Sequence, residues 1–302
     1  MAKVGIMIEG QEGLTWDRWR LICHDAEALG FDSLRRSDHL FSVMGVVERD
    51  ALECWTSLAL AAEWTKTIEF GPMVSPLTFR PPALLARMAS AVDILAGGRL
   101  ILGVGAGWYE REHVDNGIPF LTMGGRMDLL EEGIKTIRAT WDTANPKPPR
   151  GKIPLLMGGR GEKRALPMVA REAVEWNLSH MDADEYLEKK RVLDAACRAI
   201  GRDPSSIRHS VMANFLIGRD RVEVRERALQ MREIIPSLKD LDANQIIAKV
   251  GERGLAGTAD EIAEQINRYS QLGVELFMLQ HFLLDDRDAL KLLAEEVIPA
   301  VA

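Results

Sequence analysis

The stretch RLILGVGAGWYEREH, residues 99–113, carries an apolar run, LILGV (100–104), into alternate glycines at Gly103, Gly105 and Gly107, then into Trp108 and Tyr109 among charges. A short apolar run with turn signals behind it reads as a buried strand. Glycines at its end let the backbone turn sharply, or approach a flat ring or a phosphate that a Cβ would keep away. As a dinucleotide fingerprint the pattern is weak, because it follows the fourth strand candidate and its third glycine comes early for G-x-G-x-x-G. A plain tight turn between strand and helix is the alternative.

The same unit recurs outward in both directions. Strand candidates are VGIMIE (4–9), DSLRRS (32–37), IEFGPMV (68–74), LILGV (100–104), IPLLM (153–157), VEWNL (174–178), SVMANFLIG (210–218) and VELFML (274–279), eight in all. Amphipathic helical patterns lie between them. Trp16, Trp19, Cys23, Ala26 and Leu29 share one face of the first, and Leu84, Met88, Ala91 and Leu95 share one face of the third. Strands alternating with helices imply parallel pairing through right-handed crossovers, and eight such units close into a TIM-type (β/α)8 barrel; a doubly wound open sheet is the alternative. Residues 105–152, after strand four, and 219–273, after strand seven, are too long for simple crossovers and predict insertions that shape a pocket. TANPKPPRGK (143–152) reads as an irregular link, and no repeat or interdomain linker stands out, so residues 1–302 read as a single domain.

The 302 residues carry a formal charge of −7, with no basic block, which argues against a nucleic-acid partner and leaves a small molecule as the expected one. Cys23, Cys54 and Cys197 are isolated and odd in number, so they read as unpaired thiols in a reducing compartment. There is no signal-peptide pattern and no apolar run long enough for a membrane span, so the expected location is the cytoplasm. No metal-ligand spacing and no G-x-S-x-G elbow appear, and no metal is expected.

In a barrel the residues just beyond each strand form the site. These are Gln11, Ser37-Asp38-His39, Met73-Val74-Ser75, Gly105 to Trp108, Gly158 to Gly161, His180 and His281. Asp38 beside His39 suggests an imidazole used for proton transfer, although neighbours on an extended chain point to opposite sides; a helix cap or structural histidine is the other reading. MGGRGEKR (157–164), opening a helix with Arg160, Lys163 and Arg164, suggests an anion site, or else a solvated basic loop. His24 and His209 read as structural or surface residues, and His113 and His180 as rim residues.

Together GFDSLRRSDHL (30–40), residues 70–113, MDLLEEGIKTIRATW (127–141), residues 153–178 and residues 257–279 resemble the luciferase-like monooxygenase superfamily, and within it the branch that uses the deazaflavin coenzyme F420. The resemblance covers most of the chain in the family's order and implies a TIM barrel. It implies that His39, with Asp38, lies against the deazaflavin as acid or base. Met73, Val74 and Ser75 would form a bulge behind the ring, with a cis peptide at Met73–Val74. Gly105, Ala106, Gly107 and Trp108 would lie near the ring, and the glycines of GVGAGW would make room for it. Gly158, Gly159, Arg160, Gly161, Lys163 and Arg164 would take the coenzyme phosphate. Gln11, Trp108 and His281 are the expected substrate contacts.

The family's sugar-phosphate dehydrogenases carry a catalytic Glu where Trp108 stands, so the substrate side is expected to be aromatic and apolar. The resemblance thus implies hydride transfer between F420 and a small organic substrate, in a homodimer. An FMN-dependent monooxygenase and a non-catalytic flavin-binding barrel are the alternatives.

Overall fold

The computed structural model describes residues 2–46 and 48–301. Among them the first half runs β1 (Lys3–Ile8), α1 (Trp16–Ala28), β2 (Ser33–Arg36), α2 (Cys54–Trp64), β3 (Glu69–Pro72), β4 (Ser75–Pro76), α3 (Pro82–Leu95), β5 (Leu102–Gly105), α4 (Glu110–Asp115) and α5 (Met123–Thr143). The second half runs β6 (Leu155–Gly158), α6 (Ala165–Glu172), β7 (Glu175–Ser179), α7 (Ala183–Ala199), β8 (Arg208–Gly218), α8 (Arg221–Ile234), α9 (Ala243–Gly251), β9 (Leu255–Thr258), α10 (Ala259–Leu272), β10 (Leu276–Gln280), α11 (Arg287–Leu292) and α12 (Ile298–Val301).

Every ladder is parallel, in the order β3-β2-β1-β10-β8-β7-β6-β5-β4. β3 lies within the third expected strand (68–74) and β4 just beyond its end, and together they return the path to its start: β3 pairs with β2, and β4 pairs with β5 through Ser75 and Val104. A bridge between Phe70 and Leu100, with the Ile101 amide donating to Phe70 O at 2.9 Å, completes the closure. The result is a TIM-type barrel rather than an open sheet, with all eight expected strands in place. The peptide Met73–Val74, between β3 and β4, is cis, at the bond the family resemblance implied.

The glycines of the opening stretch have a different purpose from the expected one. A Cβ on Gly103 would stand 2.1 Å from Pro72 O, and one on Gly105 would stand 2.6 Å from Val74 Cγ2. Gly107 sits at φ +75°, with Thr78 Oγ1 2.8 Å from where its Cβ would be. The room these residues make is therefore filled by the chain's own β3–β4 bulge and the residues behind it, not by space reserved for a ligand.

Side chains inside the barrel form a methionine-rich cluster: Met7, Met73, Ile101, Leu156, Leu276 and Met278, with Val74 and Met212 against it. Unbranched, polarizable Met fills an irregular interior without demanding one shape. At the N-terminal ends of the strands the interior is charged. Arg35, fully buried, lies 2.5 Å from Glu69 and 3.6 Å from Glu175, and Arg208 pairs with both carboxylates. The much larger cluster between sheet and helices holds Trp19, Trp55, Phe70, Trp141, Trp176 and Phe277. Cys23, Cys54 and Cys197 are free and buried. No helix among the described residues is long and apolar enough to cross a membrane.

Two expectations change. The third helix buries Leu85, Ala86, Ala89 and Val92, while Leu84 and Leu95 are each 50% exposed. The sequence PALLARMASAVDIL is apolar on nearly every side, so periodicity could not choose the face. Packing chose it, because Ala86 and Ala89 permit close approach and Ala86 O accepts the Trp141 indole N–H at 3.0 Å. The insertion at 219–273 also contains a strand the pattern did not reveal. β9, LAGT, is too short and glycine-bearing to read as one, yet it pairs with the far half of β8, Phe215 to Gly218. With α8 and α9 it builds a separate apolar cluster of Leu216, Val224, Met231, Leu238, Ile246 and Val250.

Substituting Gly103→Ala forces a methyl group into the Pro72 carbonyl and lowers stability by about 2–3 kcal/mol, whereas Gly158→Ala, whose Cβ would meet Asn177 O only at 3.6 Å, changes it by less than about 0.5 kcal/mol. Urea unfolding of the two variants beside the parent chain reads the difference.

Candidate active site

The C-terminal ends of the strands carry the polar residues. Beyond β2, Ser37 Oγ accepts the Gly10 amide at 3.1 Å and donates to Gln11 Oε1 at 2.5 Å. Asp38 accepts Ser75 Oγ at 2.6 Å and both Arg80 Nη atoms, at 2.6 and 3.0 Å, and Arg80 continues to Glu53 at 2.8 Å. Ser75 Oγ in turn accepts the Trp55 indole at 3.1 Å. Asp38 therefore pins the end of β2 to the β3–β4 bulge and to the approach to α3.

Successive residues on an extended segment face opposite ways, and His39 turns from Asp38 toward α4. Its Nδ1 lies 2.7 Å from Glu112 Oε2, while Glu112 Oε1 accepts the Leu40 amide at 2.5 Å. The carboxylate on His39 is Glu112, which is 1% exposed, and Asp38 faces the other way, as neighbours on an extended chain do. Sequence reasoning missed Glu112. No spacing in WYEREH singled it out, because α4 begins only at Glu110 and its partner His39 lies 73 residues earlier.

Burial alone pushes the His39 imidazole down, but the hydrogen bond and charge of Glu112, with Glu9 and Asp38 behind, outweigh it and hold the pKa above the ordinary histidine value. Trp108 presents an edge to the imidazole, with centroids 5.7 Å apart, and is 63% exposed. Tyr109 continues the aromatic wall, 5.2 Å from Trp108 and 6.1 Å from Phe41. His113, expected on the rim, is instead buried beneath it: its ring nitrogens lie 2.8 Å from Thr78 Oγ1 and 2.8 Å from Tyr109 O, and it packs between Phe79 and Phe120. It anchors α4.

Met73 points into the barrel cluster, Val74 and Ser75 line the bulge, and Gly105, Ala106 and Gly107 form the turn that delivers Trp108. Across the barrel, Gly158 to Gly161 lead into α6, whose N-terminus has no side-chain cap. The basic residues there are not equivalent. Arg160 is committed to Glu185 at 2.8 Å and to Ser179 O at 2.5 Å, and Arg164 to Asp128 at 2.8 Å. Only Lys163 of the three is exposed with no ion pair among the described residues.

Two expected substrate contacts stand inside the wall rather than on it. Gln11 is fully buried, its amide spent on Ser37 and on Glu9 at 3.0 Å. His281 is buried against Phe215, 5.8 Å away and nearly parallel, beside a cavity of about 10 Å³ that holds one water at most. Burial lowers the His281 pKa to about 4. His209 is likewise structural, with Nδ1 2.8 Å from Tyr186 Oη. His180 is exposed at φ +79°.

A histidine, an aromatic wall and a glycine loop thus share one rim of a parallel barrel. The chain belongs to the luciferase-like monooxygenase family, whose model matches residues 3–276. It is 29% identical over 228 residues to phthiodiolone/phenolphthiodiolone dimycocerosates ketoreductase of Mycobacterium kansasii, covering 68% of this chain and 57% of that protein. The chain thus spans under three-fifths of the length of the curated relatives it matches first. Among solved structures it superposes on an F420-dependent secondary alcohol dehydrogenase held with an F420–acetone adduct, at TM-score 0.81 and 20% identity over 100% of this chain and 99% of that one. It matches the oxygenating constituent of 3,6-diketocamphane monooxygenase of Pseudomonas putida, in complex with FMN, at TM-score 0.80 and 20% identity over the same shares. The fold is common to both.

Because His281 titrates near 4 when folded and near 6.5 when unfolded, the unfolded chain binds the extra proton between those values. Stability therefore falls as pH drops through that window, by about 1.4 kcal/mol per pH unit from this group. Unfolding free energies at pH 7 and pH 5 should differ less in His281→Phe than in the parent chain, by about 2 kcal/mol, because about 1.5 units of that interval lie inside the window.

Proposed function

We propose that the protein transfers a hydride between coenzyme F420 and a small organic carbonyl or alcohol, with His39 exchanging the proton. The observation that carries this reading is the His39–Glu112 pair on the barrel rim under Trp108: one protonatable nitrogen, held by a buried carboxylate, against an apolar wall. The residues fit the coenzyme. The uncapped start of α6 with Lys163 suits an anionic tail, although Arg160 and Arg164 would have to leave their carboxylates to share in holding it. The bulge at Met73–Ser75 and the turn Gly105–Trp108 would hold the ring. When bound, the deazaflavin donates or accepts the hydride at C5.

The chain supplies the rest. With Nδ1 held by Glu112, His39 exchanges its proton at Nε2. Protonated, it gives Nε2–H to the oxygen of a carbonyl becoming an alcohol; neutral, it takes the proton from an alcohol becoming a carbonyl. Trp108 and Tyr109 turn an apolar face to the substrate where a sugar phosphate would need polar contacts. The ketoreductase activity named for the Mycobacterium kansasii relative supports a carbonyl substrate.

Fluorescence titrations of the purified chain with F420 and with FMN test the assignment. Binding of F420 alone is expected; binding of FMN alone overturns it in favour of flavin-dependent oxygen chemistry. His39→Ala should keep F420 affinity within a few-fold and lose about a hundredfold or more in turnover. Unchanged turnover would remove His39 from the reaction.

We also propose a homodimer. Its support is the stripe of Leu84, Ala91 and Leu95 that α3 turns outward, since an apolar helix face of this kind is more often covered by a partner than left in water. Light scattering on the parent chain should give twice the monomer mass, and Leu84→Glu with Leu95→Glu should give the monomer.

A further inference from the structure

Glu112 occupies a position that packing alone would not assign to a carboxylate. It is buried, it comes from α4, a two-turn helix, and its two oxygens are divided between the ring of His39 and the main chain of the next residue. The Leu40 amide fixes the carboxylate relative to the backbone that carries the imidazole, so ring and acid cannot rotate independently. The helix is itself tied down: His113 holds Tyr109 O and Thr78 Oγ1, and Asn116 Nδ2 donates to Glu112 O at 2.8 Å. A buried charge costs several kcal/mol unless it is paired and hydrogen-bonded. Here the pairing is spent on a single histidine at the rim.

We propose that Glu112 is the positioning residue of the site: its carboxylate holds His39 as the Nδ1–H tautomer and leaves Nε2 as the ring nitrogen that exchanges a proton. This rests on the reading of His39 as the proton partner. No other group can do the same work. Asp38, the neighbour in sequence, faces away and is neutralised by Arg80. Glu9, at the end of β1, adds only its charge, because its oxygens receive Gln11 and Gln280. Trp108 offers an edge and no acceptor. The charged groups around the imidazole are thus Glu112 from α4, Glu9 from β1, and the compensated Asp38–Arg80 pair. The sum favours the imidazolium and extends its range upward in pH.

The arrangement divides labour between two carboxylates that the sequence does not distinguish. Asp38 fixes the backbone on which His39 sits, and Glu112 fixes the ring. Residue 108 carries the aromatic wall, while Glu112, four residues on, bonds the imidazole and the Leu40 amide behind it.

The test is Glu112→Gln, which keeps the shape and removes the charge. Nitrogen-15 NMR of the histidines, with His39 assigned by loss of its signal in His39→Gln, reads tautomer and titration in the chain without coenzyme or turnover. The parent should show Nδ1–H in neutral His39 and a midpoint above the ordinary histidine value. Glu112→Gln should lower that midpoint by about one pH unit or more. The inflection in the pH profile of kcat/KM should move down with it, with maximal turnover reduced about tenfold or more. An Nε2–H tautomer in the parent, or a His39 titration that Glu112→Gln leaves in place, overturns the proposal. Failure of the functional reading has a different signature: F420 does not bind, or His39→Ala turns over normally, while the NMR midpoint still follows Glu112. Equal melting temperatures of parent and variant confirm that the shift is not a loss of fold.

Discussion

The barrel closes because β5 lies directly against a broken strand. Pro72 O and Val74 occupy the volumes that side chains at 103 and 105 would need, so two absent Cβ atoms allow β3 and β4 to bulge inward and still meet β5. That one close approach fixes much of the rim. It sets Ser75 where it can bond Asp38, and so registers the end of β2. It also sets the turn at 105–107, from which Trp108, Tyr109 and α4 are launched back over β2. His39 and Glu112, 73 residues apart in the chain, meet because both hang from this junction.

Around that junction the charges are sorted by end. At the N-terminal ends of the strands, Arg35, Glu69, Glu175 and Arg208 compensate one another across the barrel interior. At the C-terminal ends the compensation is local: Arg80 on Asp38, Arg160 on Glu185, Arg164 on Asp128. His39 is the rim histidine whose partner is a buried carboxylate, and it is shifted upward, while His209 and His281, whose charged neighbours include both signs, are shifted down to about 4. Desolvation acts on all three, and at His39 the bond and charge of Glu112, with Glu9 and Asp38, reverse its sign. The long insertion after β8 adds its own small core of α8, α9 and β9 beside the mouth, an attached wall rather than part of the barrel's closure.

Much of this was legible beforehand. Strand identity follows from short apolar runs ending in glycine or polar residues, and all eight runs became strands because each is buried on both faces, where composition speaks plainly. The rim followed from the barrel itself, and Asp38, His39, Trp108 and the bulge at Met73–Ser75 stand where their positions after the strands placed them. The face of α3 was not legible, because two of its polar residues, Ser90 and Asp93, are buried together with the apolar ones. β9 was not legible, because four residues with a glycine acquire strand geometry only from the partner that β8 offers. The burial of Gln11 and His281 depended on side-chain partners 26 and 66 residues away in the chain, Ser37 and Phe215.

What the sequence by itself determined is the alternation of strand and helix, the parallel barrel that alternation requires, and the set of residues at the strand ends, because these depend on local periodicity and on the rule that a barrel's site lies at one rim. What only the tertiary structure decided is which of those residues touch. Asp38 and His39 are adjacent in the chain and turn apart; His39 and Glu112 are distant and bond. Pairing of that kind is set by how β5 seats against the bulge and where α4 then falls, a packing outcome that no spacing along the chain encodes.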